Sequence, residues 1–396
     1  MAGTPVWSAR IRAERKERKW DVHATARRLR EAAGDDKHDL PSHADLVRSI
    51  RRWESGKIAV MSERYRLLYC VIFHLDEDTL FASDAASTAS APPMTTETEP
   101  ELGKITSLRQ ADRQVGGGHL YATVMDYLRT AIAPRLFSGP DGAQLFTTAA
   151  AFTEMAGWMA HDAGNDVLAG QHFGRALDFA GLGSDRHLEA HVLGSISHIT
   201  LHLGRAGEAV THAERGVAIL TRARTPAPAL HARLLARAAS GLAAQQDSTR
   251  SARLLIRAED MLGQRPQITP SPWTAPYDEA TLALDTARCL LRCGRPTDSQ
   301  HHARRFLNIR AASRTRSRAL GQLTLASALL QQNQLDEACV LITEAVDNTR
   351  SLSSLVVTRH LTELRAQLQA HQGHRGAADC LGVLQEAHRE RCWLYQ

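Results

Sequence analysis

Apolar residues recur at intervals of three and four along most of the chain, and stretches that alternate apolar with polar are scarce. That spacing predicts helices throughout and almost no strand. Thr4-Pro5 suits the N-cap and first turn of a helix carrying Trp7 and Ile11 on one side. Asp21 can cap a second helix, Val22 to Ala33, which Gly34 ends, and a polar loop from Asp35 to Ser42 follows. A third helix, Asp45 to about Trp53, sorts its residues by face: Leu46, Ile50 and Trp53 fall at i, i+4 and i+7, while Arg48, Arg51, Arg52 and Ser55 share another side.

From residue 83 the pattern stops. SDAASTASAPPMTTETEPE, ending at Glu101, is built of small, Pro and acidic residues that cannot bury apolar area, so residues 83–104 are expected to be a flexible linker. It divides residues 1–82 from a second domain, residues 105–396. There a small residue, an apolar or small one four on and a third three further recur as Ala169/Phe173/Ala176, Ala209/Ala213/Gly216, Ser251/Leu255/Ala258, Ser299/Ala303/Phe306 and Ala338/Ile342/Ala345, at steps of 40, 42, 48 and 39 residues. Small residues let paired helices approach closely, and the steps exceed the roughly 34 residues of the simplest tetratricopeptide unit while fitting the same helix-turn-helix build. Gly204, Gly294 and Asn333 stand where one helix of a pair should end. Pro266, Pro270, Pro272 and Pro276 make one longer irregular connection.

Composition sharpens this picture in three places. No run of about 18 apolar residues exists, and the N-terminus lacks the apolar stretch of a signal peptide, so a cytoplasmic protein without membrane contact is expected. Six cysteines are scattered without framework spacing and read as free thiols. Net charge is +5, yet Met1 to Arg30 alone holds nine Lys/Arg against three Asp/Glu, whereas Glu77 to Glu101 holds acids and no base. A basic face at the N-terminus permits nucleic-acid binding.

The arginine front of the third helix suits the major groove, because guanidinium groups can meet guanine edges bidentately as well as phosphate oxygens. IRRWESGK, starting at Ile50, resembles the end of the recognition helix in lambda-repressor-like, XRE-type helix-turn-helix regulators, and SERYRLLYCVIFHLDEDTLF is similar to that family's next helix and Leu-Phe tail. The resemblance implies DNA contacts by Arg48, Ser49, Arg51, Arg52 and Lys57. Two features depart from the family: the loop before the third helix is longer, and Val22 replaces a Gln that often meets phosphate. They keep open a second reading, a tetratricopeptide-type interaction scaffold whose N-terminal domain does not bind DNA.

LRQADRQVGGGHLY, EMAGWMAHDAGND, HLEAHVLGS and PWTAPYDEA resemble the C-terminal domain of actinomycete-type regulators that join a helix-turn-helix to tetratricopeptide repeats. By that resemblance the groove is lined by Glu154, Trp158, His161 and Asp162, then His191, His198 and His202, then Arg233, Arg288 and Arg292. The effector set is Trp158, His161, Asp162, His191, His198, His202, Arg288 and Arg292. At about 100° per residue His187, His191, His198 and His202 lie within about 60° of one another, a stripe open to three readings: a metal site, a groove for an acidic or peptidic effector, or a solvated or core-lining face. HLEAH is not HExxH, since Glu189 points off the histidine face. Imidazoles in such a groove are expected to gain charge near pH 6.5 and to tighten on an anion.

GGGHL lacks the Lys-Ser/Thr of a phosphate loop, and no nucleophile triad or paired-carboxylate arrangement is present. The reading is an all-α protein, a helix-turn-helix domain followed by a tetratricopeptide-like solenoid. It is expected to be a homodimeric transcriptional regulator rather than an enzyme, with operator DNA and a small-molecule or peptide effector as partners and no cofactor or metal.

Overall fold

Asp21 and Ser42 start the two central helices of the N-terminal unit. The Asp21 carboxylate accepts from the Ala24 amide at 2.5 Å, and Ser42 Oγ accepts from the Asp45 amide at 3.2 Å. Each satisfies a donor that a helix start leaves open. The computed structural model describes residues 6–33, 41–56, 61, 63–73, 75, 80–81, 98–115, 120–136, 142–223, 226–264, 271–350, 352 and 354–393. All regular structure among them is helical. The chain divides into two units, Met1–Met94 and Thr95–Gln396.

In the first unit α1 (Val6–Glu17), α2 (Val22–Ala32), α3 (His43–Glu54) and α4 (Glu63–Phe73) enclose one core. Helix α3 begins two residues before Asp45. Ser42 is the cap and Asp45 sits inside the first turn, its carboxylate accepting from Ser42 Oγ at 2.6 Å. Ile11, Leu29, Leu46, Ile50, Trp53, Tyr69 and Phe73 are buried together, with the Trp53 and Tyr65 rings 4.6 Å apart. Val22 packs against this core, which accounts for an apolar residue there. Arg15 grips both oxygens of Glu54 at 2.6 and 2.7 Å and donates to the Trp20 carbonyl at 2.8 Å, tying the end of α3 to α1.

The second unit opens with α5 (Thr98–Val115) and α6 (Tyr121–Tyr127). Residues 98–104, assigned to the linker from sequence, are therefore helical. Glu101 is buried, accepts from Arg135 at 3.0 Å and from the Tyr127 hydroxyl, and Ile105 is fully buried. Acidic composition suggested a solvated tether because these partners lie about thirty residues on.

Six helix pairs follow: α7 (Gly142–Asp162) with α8 (Asp166–Leu182), α9 (Arg186–His202) with α10 (Ala206–Ala223), α11 (Pro228–Ala244) with α12 (Ser248–Gly263), α13 (Glu279–Arg292) with α14 (Pro296–Ile309), α15 (Thr315–Gln331) with α16 (Leu335–Asn348), and α17 (Leu355–Leu368) with α18 (Arg375–Trp393). All fifteen residues of the five small-residue triads are buried, and they lie on α8, α10, α12, α14 and α16. The approach is close enough that a Cβ added at Gly157 would meet Phe173 at 2.5 Å, and one at Gly321 would meet Phe306 at 2.2 Å. Gly204, Gly294 and Asn333 carry positive φ (80°, 68° and 60°), joined by Gly164 (82°) and Gln246 (63°). Each of the first five pairs thus turns through one left-handed residue.

This solenoid closes on its own beginning. Arg316 of α15 donates to Asp162 of α7 at 2.9 Å, Ser354 donates to the other oxygen of Asp162 at 2.6 Å, and Arg359 of α17 reaches Asp166 of α8 at 2.8 Å. The proline-rich connection returns inward as well: Trp273 is buried with Phe152, Met155 and Leu188 of the first two pairs, and its carbonyl accepts from Arg109 of α5. Among the described residues no helix is long and apolar enough to cross a membrane.

Candidate functional site

The first helices of the first four pairs, α7, α9, α11 and α13, bring buried polar side chains together on one inner face. On α7 Glu154 is 2% exposed. Its Oε1 accepts from Ser195 Oγ of α9 at 2.7 Å and from Trp158 Nε1 at 2.5 Å. His191, fully buried, stands with Nε2 3.4 Å from the same oxygen, while Arg233 of α11 donates to its Nδ1 at 3.1 Å. That pattern fixes the neutral imidazole with its proton on Nε2.

Burial, and behind it the charge of Arg233, holds His191 down to about 4. Burial also pushes His161 and, further, His198 below the ordinary imidazole range. The expectation that these rings gain charge near pH 6.5 is thereby corrected: a proton would have to enter a dry site beside arginines. Burial opposes the charge of Glu154, but His191, Arg109 and Arg233 outweigh it and keep its carboxyl below the usual range.

Further along the same face lie Arg237, Asp285 and Arg288. Arg237 stands 3.7 Å from Asp285, whose other oxygen accepts from the Tyr277 hydroxyl at 3.0 Å. The Nε atoms of Arg233, Arg237 and Arg288 are sealed from solvent and find no hydrogen-bond partner among the described residues. Burial lowers Arg233 and Arg288 to about 10, which leaves both charged at neutral pH. Four arginines (Arg109, Arg233, Arg237, Arg288) face two carboxylates (Glu154, Asp285), a surplus of two positive charges. Such a surface can hold an anion, a carboxylate above all, through charge-assisted bonds.

The residues assigned to the groove from sequence therefore separate. Trp158, His191, His198 and Arg288 share the interior, where the Trp158 and His198 rings are 4.9 Å apart. His161 joins His198, their Nε2 atoms 3.3 Å apart, and His202 and Arg292 are exposed beyond them. Asp162 belongs to the closure instead, because both its oxygens are taken by Ser354 and Arg316. His187 leaves the stripe and accepts from the Ser271 amide at 3.3 Å. Arg109, Ser195, Arg237 and Asp285 were not singled out; the i, i+4 steps from His191 to Ser195 and from Arg233 to Arg237 are the signal that could have found the middle pair. A separate groove of about 670 Å³ lies between the α11–α12 and α13–α14 pairs, lined by Ile256, Leu282, Thr286, His302 and Arg305 among others.

In the first unit α3 buries Leu46, Val47, Ile50 and Trp53 and leaves Arg48, Arg51 and Arg52 exposed, with Ser49 half-buried. Arg48 pairs with Asp45 one turn back. Lys57 lies outside the described residues.

No protein-family model matches the chain. No curated protein matches it either. Among solved structures it is similar to the Rap protein complexed with Competence and Sporulation Factor, at 11% identity over 79% of this chain and 87% of that one, TM-score 0.51. Bacillus thuringiensis PlcR in complex with the peptide PapR7 and DNA gives 12% identity over 79% and 98% of the two chains, TM-score 0.41. IFIT1 with Gppp-AAAA gives 11% over 98% and 94%, TM-score 0.40. The last two scores carry no further weight. The first supports, as a fold, what the helix pairs and their left-handed turns display: the second unit is a tetratricopeptide-like α-solenoid.

Proposed function

We propose that the protein is a transcriptional regulator that binds DNA through its N-terminal unit and senses an anionic effector, a peptide with a free carboxylate or a small acidic molecule, on the inner face of its repeat unit. The observation that carries the reading is the set of inner-face arginines whose Nε donors are buried and find no partner among the described residues. A buried donor left unpaired costs about 1–3 kcal/mol, more when charged, so these guanidinium groups gain when a carboxylate packs against them and pairs their charge. The Rap protein, alike in fold, was solved complexed with Competence and Sporulation Factor.

The DNA half of the proposal rests on α3, whose apolar back is buried and whose arginine front is exposed, and on the resemblance of its sequence to lambda-repressor-like, XRE-type regulators. One helix-turn-helix reads a short half-site, so the active form is a homodimer with recognition helices about 34 Å apart. Effector and operator are coupled reciprocally, each changing the other's affinity by the same factor.

The test is binding of short peptides with free C-termini, and of their C-terminal amides, to wild type and Arg288→Met by calorimetry. Carboxylates that bind the wild type, lose about tenfold or more in the variant and fail as amides support the reading. Equal binding by acid and amide, or no effect of the variant, overturns it.

A further inference from the structure

Three imidazoles meet where α7 and α9 end. His161 lies one residue before the end of α7, and His198 and His202 occupy the last two turns of α9 at i, i+4 spacing. One nitrogen from each can be chosen so that all three atoms lie within 4.8 Å of one another. The three ring centroids are 4.5 to 5.1 Å apart.

We propose that His161, His198 and His202 bind one late first-row divalent cation, zinc(II) foremost, through three neutral imidazoles. Tetrahedral zinc with Zn–N near 2.0–2.1 Å requires nitrogens about 3.3–3.4 Å apart. The His161 and His198 Nε2 atoms already stand at 3.3 Å. His202 is exposed and is the last residue of its helix, so its ring can swing the remaining distance of roughly 1 Å into the set.

A second observation points to a ligand on its own. His161 Nδ1 is 2.7 Å from Asp166 Oδ1, and Asp166 Oδ2 accepts from Arg359 at 2.8 Å. A carboxylate behind an imidazole places the proton on Nδ1, turns the Nε2 lone pair toward the other rings and raises its basicity, an arrangement common to metal-binding histidines. Trp158 closes the other side, its ring 5.9 Å from His161 and 4.9 Å from His198, which restricts both rings to these rotamers. Imidazole ligands select zinc, copper or nickel over calcium and magnesium, which want oxygen.

Three imidazoles leave the fourth position of a tetrahedral ion to another donor. Arg288 and Arg292 act on His202 from nearby and Asp166 offsets them, so the vacant position favours water or an anionic donor over another cation. HLEAH contributes nothing to the site: His187 is engaged elsewhere, and the metal set draws on two helices rather than on one motif. The site stands on its own geometry and survives even if the repeat unit senses no acidic effector.

The experiment uses the tag-free full chain, stripped of metal with a chelator and titrated with cobalt(II) and zinc(II). Cobalt should give the intense visible d–d absorption of a tetrahedral site, saturating at one ion per chain, and zinc should displace it. His202→Ala, a change at an exposed position, should abolish the tetrahedral spectrum; Asp166→Asn should weaken binding by about 10–100-fold; His187→Ala should bind as the parent does. Circular dichroism of each variant separates lost binding from lost fold. Absence of a tetrahedral cobalt spectrum in the parent, or parent-like affinity in folded His202→Ala or His198→Ala, overturns the proposal.

Discussion

Lowering the pH from about 7.5 to 5.0 should destabilise the repeat unit, and His191 should account for a measurable part of the loss. In the unfolded chain its imidazole takes up a proton near 6.5, whereas in the folded protein burial and Arg233 hold it to about 4. The folded state therefore binds fewer protons between those values. Its stability is intact above about 6.5 and falls as the pH drops toward 4. A folded value near 4 against 6.5 is worth roughly 2 kcal/mol at pH 5, about a thirtyfold change in the folded-to-unfolded ratio. His198 and His161 push in the same direction, so the total acid effect is larger and the histidine's own share must be isolated. Urea unfolding of wild type and His191→Gln, followed by circular dichroism at both pH values, does that. Whatever the variant costs at pH 7.5, the gap between the two proteins should narrow by about 2 kcal/mol at pH 5.0. A gap that stays constant would mean that His191 titrates as it does in water, and the description of the inner face as dry and cationic would fail.

Three further outcomes are expected. Gly321→Ala would drive a Cβ into the Phe306 ring, 2.2 Å away, and should cost about 1–3 kcal/mol, with a smaller loss in the Gly321→Ala/Phe306→Leu double variant by thermal unfolding. Arg316→Ala leaves Asp162 and Asp112 without their shared guanidinium and should destabilise the unit by about 3 kcal/mol, with a larger radius of gyration in solution scattering if the solenoid opens. Trp53→Ala should lower the stability of the first unit by about 3–5 kcal/mol through the cavity it leaves, whereas Arg52→Ala should leave urea unfolding unchanged.

What the sequence made legible was local. The register of the second helices was written in small residues such as Ala169, Ala213 and Ala303, which are buried because only short side chains fit between paired helices. Gly204, Gly294 and Asn333 marked the turns because few residues tolerate positive φ. The face of α3 followed from spacing alone. Gln246 turns the chain in the same way but carries no such signal, since its side chain does not favour that conformation. What the sequence concealed was set by the superhelix: Arg316 meets Asp162 across 154 residues, and Trp273 packs with Phe152 and Met155 of the first pair, more than a hundred positions earlier. No periodicity reports contacts of that range. The histidines were visible as a stripe on one helix, yet His161 comes from another, so the cluster exists only once α7 and α9 are packed. Asp162, spaced like a groove residue, became a clamp for the same reason.

Recognition of DNA is tested most directly by selecting fragments of the source genome on the purified protein at low salt, then measuring affinity for the recovered sequences against salt in wild type and in Arg51→Ala/Arg52→Ala. The regulator account predicts recovery of a shared sequence with half-sites about one helical turn apart, a linear fall of log K with log salt, and a weaker affinity with a shallower slope in the double variant. Retention of no DNA at low salt, or a double variant that selects and binds as the parent does, would contradict it.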